Sequence, residues 1–399
     1  MERLYWNNDW KFAETWEEAM KEAVYPENEM EDVRLPHTCK ELPYHYFDEH
    51  AYQMLCGYRR HFMAPEAWQG KSVELTFEGV AHDAVVYVNG TEVKAHHCGY
   101  TAFSVELAKY LKYGEDNVLA VRVDSRENLN IPPFGYAIDY MTFGGMYREV
   151  YVQVRNKTHL ADVFIKPQIH PLQVTTEITV QNISDGITLQ QEIRKKGEGA
   201  YSPLGKKPVK QTNVQTVFPV QEICLWEPEN PHLYEIRTSL WKNGEMIDAR
   251  VDITGFREAG FRKDGFYLNG KKLRLRGLNR HQSYPYVGYA APASMQIFDA
   301  DILKKELGVN AVRTSHYPQS QDFIRRCDEI GLLVFTEFPG WQHIGGEEWK
   351  RQAMQNLKEM IVQYRNHPSI ILWGVRINES QDDDVFYRET NRVAHELDD

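Results

Sequence analysis

The apolar and polar positions in the first part of the chain predict many short strands. Between residues 1 and 160 the apolar runs are rich in Val, Tyr and Phe and show no helical periodicity. Asn89-Gly90 follows the run AVVYV and predicts a tight hairpin. This spacing predicts an antiparallel jelly-roll β-sandwich for 1–160.

Residues 161–257 continue the pattern with about seven strands, which predicts an immunoglobulin-like β-sandwich. Within this domain the Gly-, Lys- and Pro-rich segment 194–208 is expected to be an exposed loop.

The pattern changes from about residue 258, where nearly continuous apolar strands alternate with amphipathic helices. The predicted strands are 272–279, 310–316, 332–338 and 369–379. Strands of this kind with helical connections predict a parallel sheet covered by helices. A complete eight-unit barrel needs about 250 residues, so residues 258–399 are expected to form the first half of a (β/α)8 TIM barrel. The fold class is therefore multidomain β plus α/β.

Composition excludes several classes of protein. The net charge is -11 and no block of Lys and Arg stands out, which argues against nucleic acid as a partner. The five cysteines are scattered without CxxC spacing, so neither a disulfide framework nor a zinc site is expected. No apolar run approaches the roughly 18 residues of a membrane helix. These features predict a cytoplasmic protein with no membrane partner.

Polar side chains stand at the end of each predicted strand of the third domain. The candidates are His281 after the first strand, Arg313 and His316 at the second, Glu337 at the third, and Asn378 and Glu379 at the fourth. In barrels of this kind the carboxyl ends of the strands carry the active site. Glu379 follows an apolar strand, and a carboxyl group kept protonated by such a buried setting suits general acid catalysis.

Structural alternatives remain open for several of these residues. A lone histidine at a strand end is often a hydrogen-bonded filler. Glu337 would serve equally well as an ion-pair partner of Arg313 that only holds the sheet together. The run Asp382-Asp383-Asp384 is expected to begin the last helix, because acidic side chains favour a helix N-terminus.

Four motifs carry a resemblance to a known family. LRLRGLNRHQSYP, NAVRTSHYPQS, RNHPSIILWGVRINES and FGGMYREVYV resemble glycoside hydrolase family two, and within it the β-galactosidases. The resemblance implies a jelly-roll sugar-binding domain, an immunoglobulin-like domain and a catalytic (β/α)8 barrel, which hydrolyse terminal β-galactosides with retention. β-Glucuronidase and β-mannosidase are the rivals within the family, and the sequence INES rather than NEP argues against the glucuronidase.

The resemblance also implies roles for individual residues. Glu379 matches the general acid/base, Asn378 the contact to the 2-hydroxyl, His281 and His316 the sugar-binding histidines, Arg313 the arginine near the carboxylates, and Asp139 an aspartate sent in by the jelly-roll domain. The family's nucleophile is a glutamate at the seventh barrel strand, and its equivalent is expected beyond residue 399. Glu337 is an alternative nucleophile, because neighbouring strands lie only about 4.8 Å apart.

One departure from the family concerns metal. Some β-galactosidases of the family carry a magnesium-binding glutamate just after the third strand. Here Trp341 stands at that position, although His343 matches a second ligand, so Mg²⁺ is not required by the motif.

The partner expected from the resemblance is a carbohydrate substrate, a β-galactoside. A hypothesis of a different class is that this chain binds sugar without turnover, as an incomplete fragment or split subunit. A homo-oligomer, or a companion chain that completes the barrel, would then supply the missing strands, because exposed parallel edges invite pairing.

Overall fold

The computed structural model describes residues 3–45 and 48–399. Its first domain is a sandwich of two antiparallel sheets, with strand orders β1-β10-β5-β8 and β3-β2-β4-β9-β6-β7. The strands are β1 (Leu4–Tyr5), β2 (Trp10–Ala13), β3 (Glu31–Val33), β4 (Leu55–Met63), β5 (Ser72–Phe77), β6 (Asp83–Val88), β7 (Thr91–His96), β8 (Phe103–Glu106), β9 (Asp116–Asp124) and β10 (Val150–Arg155). Short 3-10 helices span Glu18–Lys21, Glu49–Tyr52 and Glu66–Trp68.

Alternating side chains of the two sheets fill one apolar core in this domain. Trp10, Tyr58 and Phe77 are fully buried in it. The hairpin prediction is confirmed, because β6 and β7 pair antiparallel across Asn89-Gly90, whose φ angles are both positive at 50° and 82°.

The second domain has seven strands in two sheets, as the sequence pattern predicts. They are β11 (His159–Gln168), β12 (Gln173–Gln181), β13 (Ile187–Lys195), β14 (Ser202–Pro208), β15 (Asn213–Pro219), β16 (Tyr234–Lys242) and β17 (Glu245–Thr254). The sheet orders are β11-β12-β15 and β14-β13-β16-β17. The loop prediction for 194–208 is wrong over Ser202–Pro208. These residues form an edge strand whose side chains are mostly exposed, so its composition resembles that of a loop.

The third domain begins with an antiparallel sheet of three short strands and continues with a parallel sheet. Its strands are β18 (Ala259–Arg262), β19 (Gly265–Leu268), β20 (Lys271–Leu273), β21 (Gly277–Arg280), β22 (Ala311–Thr314), β23 (Leu333–Glu337) and β24 (Ile370–Gly374). Its helices are α1 (Ala293–Asp301), which continues as a π-helical turn at Ile302–Glu306, α2 (Gln321–Ile330), α3 (Glu347–Tyr364) and α4 (Asp384–Leu397). The parallel order β21-β22-β23-β24 confirms the predicted strand–helix alternation.

Two predicted strands of this domain are wrong in extent. The segment 272–279 is divided between β20, which pairs antiparallel with β19, and β21, which enters the parallel sheet. The segment 369–379 leaves the sheet after Gly374, and the following residues form a loop that meets the chain again at the Trp341–Asn378 bridge. The acidic run does begin α4, because the Asp383 side chain accepts a hydrogen bond from the Phe386 backbone N–H at 3.0 Å.

Polar groups in α3 and just after it contact the first and second domains. Glu359 accepts a hydrogen bond from Thr101 at 2.6 Å and lies 3.0 Å from the His96 ring nitrogen. The Asn366 side chain bonds two backbone groups of β11, the first strand of the second domain. It accepts from the Ile165 N–H at 2.9 Å and donates to the Val163 carbonyl at 2.8 Å. These contacts fix how the first and second domains sit on the third. None of the described helices is both long and apolar enough to cross a membrane.

Candidate active site

An ion pair joins the carboxyl ends of β22 and β23. The guanidinium of Arg313 donates to both oxygens of Glu337, from Nε to Oε2 at 3.0 Å and from Nη2 to Oε1 and Oε2 at 2.9 and 2.8 Å. Glu337 is 2% exposed, so the carboxylate of this pair is shielded from water, whereas Arg313 is partly exposed. A planar guanidinium facing a carboxylate in this way fixes the direction of both side chains.

The pair extends to two further candidates. The His316 Nδ1 lies 2.6 Å from Glu337 Oε1, and the Arg313 Nη2 also donates to Asn378 Oδ1 at 2.8 Å. The network therefore links the ends of three neighbouring strands. The alternative interpretation of Glu337, as an ion-pair partner of Arg313, is confirmed in its geometry.

Glu379 differs from Glu337 in its surroundings. Its side chain is exposed, so the expectation of a buried carboxyl at this position is wrong: the loop after β24 carries Glu379 beyond the sheet. Its Oε2 accepts a hydrogen bond from Gln342 Nε2 at 3.1 Å. A backbone hydrogen bond also joins the loop after β23 to the loop after β24: the Gln342 N–H donates to the Asn378 carbonyl at 2.8 Å.

Aromatic rings line the space beside this network. Tyr140, from the first domain, has its ring centroid 5.3 Å from that of His281 and 5.9 Å from that of His316. Trp341, which is 7% exposed, lies 4.9 Å from His316. Loss of water around His281 lowers its pKa, and the neighbouring His316 charge lowers it further, so the neutral imidazole is favoured near neutral pH.

Asp139 precedes Tyr140 and is exposed. It is close enough to His281 for its charge to raise the pKa of that imidazole, against the two larger effects above. The first domain thus contributes a carboxylate and a ring to the same space as the strand ends of the third. Among the candidates, Arg313 is joined to His316 and Asn378 by direct hydrogen bonds. Glu379 follows Asn378 in the chain and is bonded by Gln342, which follows Trp341 of the Trp341–Asn378 bridge.

Comparison with known families gives the architecture a name. Three models of glycosyl hydrolases family 2 match in succession: the sugar binding domain over residues 32–155, the model described simply as glycosyl hydrolases family 2 over 158–257, and the TIM barrel domain over 260–399. This chain belongs to glycosyl hydrolases family 2.

Individual relatives are similar over the whole chain. The β-galactosidase of Thermoanaerobacter pseudethanolicus is 47% identical over 99% of this chain and 54% of its own length. The β-galactosidase of Thermoanaerobacterium thermosulfurigenes is 46% identical over 98% and 56%. Among solved structures, Bacteroides uniformis β-glucuronidase 2, covalently bound to cyclophellitol-6-carboxylate aziridine, superposes with a TM-score of 0.87 at 30% identity, over 99% of this chain and 50% of that one. The chain spans about half the length of these relatives.

The position that the resemblance relates to Mg²⁺ offers few suitable donor groups. Mg²⁺ prefers oxygen ligands, and Trp341 offers none. The His343 ring packs between Tyr136 and Trp349, and its Nε2 is buried. Over residues 3–45 and 48–399, no three or more His, Cys, Asp or Glu side chains are grouped as metal ligands would be. These residues do not fit a magnesium site.

Two residues of this family 2 site escaped the sequence reasoning. Tyr140 follows Asp139 directly, and only the approach of the first domain to the third reveals its contact with the histidines. Gln342 follows Trp341, and its contact with Glu379 depends on the pairing of two loops. The sequence offered one indication of both residues: each directly follows a candidate that was already named.

Proposed function

We propose that this chain forms the first part of a retaining β-galactosidase in which Glu379 is the general acid/base. The observation that carries the proposal is the contrast between two carboxylates at neighbouring strand ends. Glu337 is 2% exposed and engaged by Arg313 and His316, whereas Glu379 is exposed and bonded by one neutral amide. Of these two carboxylates, only Glu379 is accessible to a glycosidic oxygen. The two β-galactosidases at 46–47% identity support the choice of sugar.

In this proposal Glu379 transfers its proton to the glycosidic oxygen as the bond to the anomeric carbon breaks. A second carboxylate attacks the anomeric carbon and forms a glycosyl ester. Glu379, now ionised, takes a proton from water, and the water oxygen displaces the carboxylate and restores both groups. Retaining enzymes place the two carboxyl groups about 5–5.5 Å apart.

Glu337 does not suit the role of nucleophile. A nucleophile must present a free oxygen to the sugar, yet both oxygens of Glu337 accept hydrogen bonds within the protein. We assign Glu337 a positioning role: it fixes Arg313, and Arg313 in turn holds Asn378. The nucleophile is then supplied by sequence that completes the parallel sheet, as the first half of a (β/α)8 barrel requires.

Two features of the parallel sheet support its completion by further strands. The sheet ends at β21 and β24, and each of these outer strands exposes a leucine: Leu278 is 47% exposed and Leu372 is 39% exposed. Exposed apolar side chains on an outer strand mark a surface that another element covers. Further strands, from the same polypeptide or from a companion chain, would cover these leucines.

The remaining candidates would bind the sugar. Asn378, oriented by Arg313, would bond the 2-hydroxyl, while His316 and His281 would contact the ring hydroxyls as charge develops. Asp139 would reach the same ring from the first domain. The likeness to a β-glucuronidase structure keeps β-glucuronides as the second candidate substrate class.

The test compares hydrolysis of nitrophenyl β-galactoside and nitrophenyl β-glucuronide by the complete gene product. We expect kcat/KM for the galactoside to exceed that for the glucuronide by at least about 100-fold, since a site built for hydroxyls leaves a carboxylate unpaired. A preference for the glucuronide would replace the proposed substrate. Activity that survives unchanged in Glu379→Gln would overturn the proposed mechanism.

A further inference from the structure

The sequence contains three Asn-Gly pairs, and each of them forms the turn of a β-hairpin. They are Asn89-Gly90 between β6 and β7, Asn243-Gly244 between β16 and β17, and Asn269-Gly270 between β19 and β20. The φ angles are 50–52° at the three asparagines and 77–84° at the three glycines. Two successive positive φ angles are typical of a type I′ turn. Any difference in the chemistry of the three pairs must therefore come from their surroundings.

The side-chain amide of Asn89 is fixed by hydrogen bonds. Its Nδ2 donates to the Tyr110 carbonyl at 3.0 Å and to the Asn117 Oδ1 at 2.8 Å. Its Oδ1 accepts from the Val118 N–H at 3.0 Å. Rotation of the Asn89 side chain would break all three of these bonds.

The side-chain amide of Asn269 is fixed in the same way. Its Oδ1 accepts from the Glu258 N–H at 2.9 Å, and its Nδ2 donates to the Trp226 carbonyl at 3.1 Å. Both polar atoms of this amide are therefore engaged. The two turns differ in their partners but share an immobilised asparagine side chain.

Asn243 lacks this restraint. It is exposed, and its side chain makes no hydrogen bond to any residue in the described part of the chain. The comparison with Asn89 is close, because in each hairpin two residue pairs close the turn and a register shift follows. The two turns therefore differ in the exposure and the hydrogen bonding of the asparagine, and not in the architecture of the hairpin.

We propose that Asn243 is a site of spontaneous deamidation, with water as the only co-reactant. The Gly244 backbone nitrogen bonds to the Asn243 Cγ as the bond from Cγ to the side-chain nitrogen breaks. That nitrogen leaves as ammonia and takes the proton of the Gly244 N–H. Water then adds to one carbonyl of the resulting five-membered succinimide and breaks the bond from this carbonyl to the ring nitrogen. The product is isoaspartate when the main-chain carbonyl is opened and aspartate when the former side-chain carbonyl is opened.

The restraint on the side chain decides which of the three pairs reacts. Ring closure requires the side chain to rotate until Cγ meets the glycine nitrogen, which no glycine side chain covers. At Asn89 and Asn269 this rotation must first break hydrogen bonds, each of which slows it by up to roughly tenfold. At Asn243 no side-chain bond has to break. We therefore expect Asn243 to react at least about tenfold faster than either of the other two.

The product changes the tip of the second domain in two ways. Either product places a new carboxylate at the exposed turn between β16 and β17. Isoaspartate also adds one atom to the main chain of a two-residue turn, and turns of this kind fix the register of the strands that they join. The pairing of Lys242 with Glu245 beside the turn is therefore the first that isoaspartate disturbs.

The experiment incubates the folded complete gene product in mildly alkaline buffer and follows the three Asn-Gly peptides by mass spectrometry. The expected result is conversion at Asn243 at least about tenfold faster than at Asn89 or Asn269. Asn243→Gln is the chemical control. Its longer side chain would have to close a six-membered ring, so ammonia loss at this position should become undetectable over the same time.

The same incubation in concentrated urea separates the effect of the fold from that of the sequence. The hydrogen bonds of Asn89 and Asn269 are lost in the unfolded chain, so the three rates should become similar. Equal rates in the folded protein, or an Asn243 that stays unmodified there, would overturn the proposal. A preference for Asn243 that persists unchanged in urea would also overturn it, because the hydrogen bonds would then not be the cause.

Discussion

At the scale of single residues, Arg313 is the side chain on which the strand-end network depends. It is the one group that contacts Glu337, His316 and Asn378 together within the described site. Its planar fork bonds a carboxylate with two nitrogens while a remaining N–H reaches an amide oxygen. A lysine carries the same charge but not this geometry.

We therefore expect Arg313→Lys to lower kcat/KM on a nitrophenyl β-galactoside by about 100-fold, because Asn378 loses its fixed orientation. The far-ultraviolet circular dichroism should remain that of the wild type. Arg388→Lys, on the exposed face of α4, is the matched control. Wild-type kcat/KM in Arg313→Lys would show that the network does not orient the site.

Gln342 gives a second expectation at this scale. Its amide donates a hydrogen bond to Glu379, and leucine is uncharged and has no donor. We expect Gln342→Leu to lower kcat by about tenfold, because Glu379 loses the hydrogen bond that holds its carboxyl group in place. Steady-state kinetics with wild-type kcat would contradict a positioning role for Gln342.

At this scale the sequence predicted contacts between residues of complementary charge at the ends of adjacent strands. The pairing of Arg313 with Glu337 was expected because both stand at the ends of adjacent strands. The exposure of Glu379 was not expected, because it depends on the loop that leaves the sheet after Gly374. A local apolar pattern carries no information about the path of the following loop.

At the scale of elements, Gly374 shows how closely β24 approaches β23. It pairs with Glu337 in the sheet register, and a Cβ at Gly374 would lie 2.3 Å from the Glu337 Cβ and 3.0 Å from its Cα. Contacts of that length to backbone atoms cannot be relieved by a side-chain rotation. The end of β24 therefore requires a residue without a side chain.

We expect Gly374→Ala to destabilise the protein by about 1–3 kcal/mol through overpacking and to reduce kcat/KM by displacing Glu337. Gly260→Ala is the control, because a Cβ at Gly260 in β18 meets no atom within 4 Å. Chemical denaturation and nitrophenyl galactoside kinetics measure the two effects. Equal behaviour of the two variants would show that the close approach does not matter.

Element prediction failed mainly at edges and at changes of sheet. β14 is an edge strand with a largely exposed face, so its Gly-, Lys- and Pro-rich composition resembles a loop. The division of 272–279 into β20 and β21 reflects two different partners, and pairing partners are not encoded by local alternation. The alternation of strands with helices in the third domain was predicted correctly, because the apolar positions of the helices repeat over several turns.

At the scale of the whole molecule, the domain interfaces contain charged groups that composition cannot locate. Arg148 of the first domain is buried and donates to the Pro318 carbonyl at 3.1 Å and to the Gln282 side chain at 3.2 Å in the third. Sequence pattern predicted the order of the domains. It could not predict how they pack, because that depends on surface complementarity between elements far apart in the chain.

Glu78 makes this interface region sensitive to pH. Burial raises the pKa of Glu78 to about 7, and repulsion from Glu149 adds to the effect. A carboxyl group whose pKa is raised on folding favours the folded state in its protonated form. Its contribution is complete below about pH 4.5, the ordinary value for glutamate, and is lost as the pH rises through about 7.

We expect Glu78→Gln, which stays neutral, to gain stability relative to the wild type by about 1–3 kcal/mol between pH 5 and pH 8. The measurement is the free energy of unfolding by denaturant across that pH range. Glu245→Gln, at an exposed site in β17, should follow the wild type. Parallel pH curves for Glu78→Gln and the wild type would contradict the burial effect.

The most direct test of the central assignment, Glu379 as acid/base of a retaining enzyme, is azide rescue of the complete gene product. Without its acid/base, a retaining enzyme still forms the glycosyl ester from a nitrophenyl β-galactoside, and azide can displace that ester without a base. We expect Glu379→Ala to lose at least about 100-fold in turnover, and azide to restore nitrophenol release with β-galactosyl azide as product. Glu337→Ala should give no galactosyl azide. Rescue through Glu337 and not through Glu379, or an α-galactosyl azide from Glu379→Ala, would contradict the assignment.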